Sequence, residues 1–83
     1  MENRLLGLTV WAKDCREAED IRCFLSEKTL GDYTWRGGVK VRAYFGDREG
    51  LEEAVRLLKC AFPGLKSYPG TTDGEDIFLT YDD

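Results

Sequence analysis

The run Arg36-Gly37-Gly38-Val39-Lys40-Val41-Arg42-Ala43-Tyr44-Phe45 restricts what this chain can fold into more than any other stretch. A glycine pair between β-prone segments predicts a hairpin, because type I′ turns need positive φ at both central positions. The return strand, 39–45, then has two faces. Val39, Val41, Ala43 and Phe45 fall on one side, and Lys40, Arg42 and Tyr44 on the other. The first side reads as core. The second is a basic and aromatic strip in a chain that is otherwise acidic.

The rest of the order follows from periodicity. Leu6, Leu8, Val10 and Ala12 alternate with Gly7, Thr9 and Trp11, the period of a half-buried strand, which turns Trp11 away from the core face. Asp14 and Glu17 form a capping box that predicts a helix with Ala18, Ile21 and Leu25 on its inner face and Cys15 and Thr29 flanking. Leu30-Gly31 is its expected stop. A short strand follows at 32–36. Asp47 is placed to cap a second helix of about residues 48–62, whose apolar stripe is Leu51, Ala54, Val55, Leu58, Ala61 and Phe62. Glu52 and Arg56 are expected to pair across one turn of it. Leu65-Lys66-Ser67-Tyr68 reads as a short edge strand, Asp73-Gly74 as a turn, and Ile77, Leu79 and Tyr81 mark a final strand.

Strand, helix, strand, strand, helix, strand is the order of a ferredoxin-like sandwich: an α+β fold with two helices on one face of an antiparallel sheet, and an extra edge strand near 65–68 as its variant. Eighty-three residues hold one such domain, 1–83.

Composition narrows the function. Twelve bases against sixteen acids give a net charge of −4, which argues against a general nucleic-acid binder. No histidine is present, so the commonest general base and metal ligand near neutral pH is missing. Three cysteines make no disulfide framework. Cys23 and Cys60 fall on the expected solvent faces, without a C-x-x-C partner to hold a metal. The loop Pro69-Gly70-Thr71-Thr72-Asp73-Gly74 precedes acids and a strand, where a phosphate cradle would need a helix start. The expectation is a cytoplasmic, non-enzymatic protein with no cofactor and no metal, and with no signal peptide or membrane span.

Two surfaces stand out as candidate sites. On the proposed topology the open sheet face carries Trp11, Lys40, Arg42, Tyr44 and Phe78, with Trp35 on the short strand grouped with them; this composition suits a protein contact or base stacking. The second surface is acidic: Asp20, Glu27, Glu52 and Glu53 on the helices, and Asp73, Glu75 and Asp76 near the C-terminal end, where the last eleven residues hold five acids and no base. The third strand lacks the alternating aromatics of RNA-recognition domains: Arg36-Gly37 is followed by Gly38, Val39, Val41 and Ala43.

The run Val39–Phe45, followed by Leu51-Glu52-Glu53-Ala54, resembles the N-terminal α/β domain of ribosomal-protein methyltransferases. The likeness consists of strand-then-helix residues and brings no cofactor loop, so it implies no activity. The functional expectation is a small protein-binding module. Its sharpest form is a stoichiometric inhibitor of the anti-CRISPR kind, encoded by a phage or other mobile element, that blocks a partner's nucleic-acid-binding surface. The alternatives are single-stranded nucleic-acid binding through the open sheet face, and a ligand-sensing homodimer.

Overall fold

The computed structural model describes residues 6–28, 32–35, 37–70 and 76–81. Its elements run β1 (Leu6–Trp11), α1 (Cys15–Lys28), β2 (Asp32–Thr34), β3 (Lys40–Phe45), α2 (Arg48–Ala61), β4 (Leu65–Pro69) and β5 (Asp76–Tyr81). This is an α+β fold of two helices and one five-stranded mixed sheet, ordered β2-β3-β1-β5-β4.

Local chemistry sets the element ends. Glu17 N donates to Asp14 Oδ1 over 2.8 Å, and Lys13 N donates to Glu17 Oε1 over 3.1 Å, closing the start of α1. Asp47 caps α2 by accepting from Gly50 N at 2.6 Å. The turn after α2 passes through Gly64 at a φ of 102°, a conformation only glycine adopts at little cost. Gly37 and Gly38 have φ of 88° and 82° in the β2–β3 connection, but Thr34 pairs with Arg42, a register that a two-residue type I′ turn at these glycines would not give. The expected stop of α1 at Leu30-Gly31 and the turn at Asp73-Gly74 lie outside the described residues.

The ferredoxin-like expectation holds only in part. Its core arrangement, β1 antiparallel to β3 and β3 antiparallel to β2, is present. The last strand departs from it. β5 pairs parallel to β1 and antiparallel to β4, so the sheet is mixed rather than antiparallel throughout. The segment at 65–69 is a full edge strand, and the chain doubles back from it to insert β5 between β4 and β1.

Residue chemistry explains that placement. Pro69 has no N–H to give to a second neighbour, which confines its strand to an edge. Only Leu65 of β4 is buried, whereas β5 contributes Leu79, fully buried, together with partly buried Ile77 and Tyr81. The more apolar strand takes the inner position.

One core lies between the sheet and both helices. It joins Leu8, Val10, Val41, Ala43, Phe45 and Leu79 of the sheet to Ala18, Ile21 and Leu25 of α1 and Leu51, Ala54 and Leu58 of α2. Each large aliphatic side chain buried there contributes about 1.5–3 kcal/mol relative to exposure. Phe24 of α1 meets Phe62 edge-on, ring centroids 6.0 Å apart, and ties the helices together at the rim.

Three details differ from the sequence reading. Ala61 is exposed at the end of the α2 stripe, and Cys15 is exposed at the first residue of α1. Glu52 pairs not with Arg56 but with Arg48, at 3.0 Å, while Arg56 turns to Glu53. Both arrangements satisfy helical spacing, and α2 uses the one that leaves neither glutamate unpaired.

Candidate binding face of the sheet

Both helices cover one side of the sheet, and the candidate binding face is the other. Strand register places its residues in three rows. Asp32, Tyr44, Gly7 and Asp76 form the first, running from β2 to β5. Thr34, Arg42, Thr9, Phe78 and Tyr68 form the second, across all five strands. Lys40 opposite Trp11, and Lys66 opposite Thr80, make the third.

The middle of this face is already organised. Arg42 Nη1 donates to Thr9 Oγ1 at 2.9 Å and its Nε to the Tyr44 hydroxyl at 3.3 Å, with the guanidinium 5.3 Å from the Tyr44 ring centroid. Thr9 is only 2% exposed, though it lies on the side away from the helices. Gly7 lies beneath two side chains from neighbouring strands. A Cβ there would collide with Asp76 Oδ1 and stand 2.9 Å from Arg42 Nη2, so a carboxylate and a guanidinium close over the bare backbone.

The rest of the face is open. Trp11, Tyr68 and Phe78 are 40%, 37% and 37% exposed; they are the exposed large hydrophobics among the described residues, and all three lie here. Phe78 and Tyr68 are cross-strand partners, and Trp11 lies two residues along from Thr9, the β1 partner of Phe78. Lys40 Nζ stands 5.5 Å from the Trp11 ring centroid. An aromatic patch with cations beside it can take up a flat apolar or π surface and orient anionic groups.

The residues singled out from sequence divide. Trp11, Lys40, Arg42, Tyr44 and Phe78 share this face. Trp35 does not. It alternates with Thr34, which takes the open side, and packs against the core cluster with Arg22 of α1 5.6 Å from its ring. Its Nε1 is committed to Gly38 O at 3.1 Å. Trp35 reaches the open face only at the edge, in a shallow cleft of about 320 Å³ that it lines with Thr34, Gly37, Lys40 and Arg42.

The acidic set divides too. Asp20 and Glu27 are exposed on α1. Glu52 and Glu53 are exposed on α2 but held by Arg48 and Arg56. Asp76 belongs to the sheet face beside Gly7 and Arg42. Asp73 and Glu75 lie outside the described residues.

Sequence reasoning missed Thr9, Gly7 and Tyr68. Lys66 and Tyr68 share one side of β4, but which side that is depends on pairing with β5, which local pattern does not encode. It also missed an apolar groove of about 370 Å³ on the helical side, where Val55 and Cys60 of α2 approach Ile77.

Cys15, Cys23 and Cys60 are all exposed and free. Among the described residues no group of three or more His, Cys, Asp or Glu side chains could hold a metal ion, and no helix is long and apolar enough to cross a membrane. No protein-family model matches the chain, and neither the curated proteins nor the solved structures contain a match to it.

Proposed function

We propose that this chain is a protein-binding module that works without catalysis, by laying the open face of its sheet on a partner. One observation carries the reading: Trp11, Tyr68 and Phe78 gather on the side of the sheet that neither α1 nor α2 covers. Clustered exposed aromatics next to arginine and lysine are the composition of interaction hot spots. The alternative acidic surface is weaker support, because Glu52 and Glu53 already have basic partners on their own helix. The stoichiometric-inhibitor form belongs to the same proposal, since a module of this kind acts by occupying its partner's surface.

The test is affinity capture from the native host with the wild-type chain and with Phe78→Asp as baits. The reading expects a partner held by the wild type and lost with Phe78→Asp, at unchanged fold by circular dichroism. Equal capture by both baits would overturn it.

A second reading rests on Lys40 and Arg42 beside Trp11 and Tyr44, which suits bases stacked on aromatics with phosphates near the cations. Titrating tryptophan fluorescence with a single-stranded oligonucleotide at low salt separates the two. Quenching of the wild type that is lost in Trp11→Phe supports nucleic acid, and no quenching removes it.

A further inference from the structure

Charge on the open face is not scattered. It runs along the strands from acid to base. Asp32 and Asp76 occupy the first row, Arg42 the middle, and Lys40 and Lys66 the last. The exposed aromatics lie in the middle and last rows, so the face has an acidic end, an aromatic centre and a basic end.

The two end rows of such a face are complementary to each other in one orientation, while the middle row, with Arg42 held by Thr9 and Tyr44 of its own chain, meets its own copy. Two copies packed face to face about a two-fold axis lying across the strands place the acidic end of each over the basic end of the other. An axis along the strands would instead set acid on acid and base on base. We infer that the open face binds a second copy of this chain in the first of these arrangements, as an isologous dimer with Asp32 and Asp76 of one copy over the Lys40–Lys66 end of its partner. This rests on the reading of the open face as the binding face and names an occupant for it.

The area fits a reversible dimer. Five strands about 4.8 Å apart and six residues of about 3.3 Å each span a patch of about 20 by 20 Å. Two such patches bury on the order of 1,000 Å², the lower bound for a specific interface. The dimer is therefore concentration-dependent, and self-association competes with any other partner for the same aromatics. Nucleic acid fits this face less well, because the acidic first row would lie along its phosphates.

The experiment uses two exposed positions at opposite ends, Asp32→Lys and Lys40→Glu. Each variant alone sets like charges together at both ends of the dimer, whereas a mixture of the two restores opposite charges. Sedimentation velocity on the full chain should show wild-type self-association that weakens with salt. Each single variant should associate about tenfold more weakly, and the equimolar mixture should recover to within about threefold of wild type.

A wild type that stays monomeric to about 1 mM overturns the proposal. So does a mixture that associates no better than its components while both remain folded by circular dichroism. Saturable oligonucleotide binding by a monomer would overturn it in favour of the other occupant. If self-association fails while partner capture still depends on Phe78, only the dimer falls. If Phe78→Asp changes neither, the reading of the face falls with it.

Discussion

Arg42 Nη1 donates a 2.9 Å hydrogen bond to Thr9 Oγ1 across the junction of β3 and β1. Through that bond and its contact with Tyr44, one arginine fixes the centre of the face that neither α1 nor α2 covers. Thr9→Val keeps the shape and removes the acceptor. It should lower stability by about 1 kcal/mol, read as a shift of the urea midpoint at constant slope. An unchanged midpoint would mean that the bond adds nothing net.

Gly7 lies under the Asp76 carboxylate and the Arg42 guanidinium. In Gly7→Ala the new methyl meets the Asp76 carboxylate and the Arg42 guanidinium, and both must swing away. The expected loss is about 1–3 kcal/mol. Adding Asp76→Ala to the variant should recover part of it, since one of the two obstructing groups is then gone. No recovery would place the strain in the backbone instead.

The hydroxyl of Tyr81 has its pKa pushed up from 10.0 to about 12 by burial, by hydrogen bonding to Glu17 and by the charge of that carboxylate. The unfolded chain therefore loses this proton first. The stabilisation is fully present below about pH 10 and is lost as pH rises through about 12. Urea midpoints measured across that window should fall more steeply for the wild type than for Tyr81→Phe. Parallel curves would remove Tyr81 from the alkaline transition.

Leu58 is fully buried where α2 meets the core. Leu58→Ala should cost about 2–5 kcal/mol, a large fraction of the stability of a domain this small. Trp11→Ser, at a position 40% exposed, should cost no more than about 1 kcal/mol. Denaturation of the two variants side by side distinguishes a residue kept for packing from one kept for contact.

Much of the fold is legible in the sequence because its signals are local. The shared core side of Leu8 and Val10, the caps at Asp14 and Asp47 and the positive φ of Gly37 and Gly38 each act within a few residues, and each appears where the pattern puts it. The insertion of β5 between β1 and β4 was not legible. It depends on competition between two strands for one inner position, decided by Pro69 and Leu79.

The candidate face follows the same division. Trp11, Lys40, Arg42 and Tyr44 lie on regular strands whose period fixes their side. Trp35 follows a strand of only three residues, and there the tertiary contacts with Arg22 and Gly38 decide its direction. Tyr68 could be placed only once β4 had a partner. The pairing of Glu52 with Arg48 had an equally well-spaced rival on the same helix.

In the proposed binding mode the sheet face, not the helical side, meets the partner, and the two sides carry different chemical reporters. Trp11, Tyr68 and Phe78 report on the sheet, and Cys15, Cys23 and Cys60 on the helices. The most direct measurement is hydroxyl-radical footprinting combined with thiol alkylation, comparing the free chain at a concentration where it is monomeric with the complex captured from the host. In that mode the three aromatics become protected while the three thiols still alkylate at the free rate. Protected thiols with Trp11 and Phe78 still oxidised would contradict it.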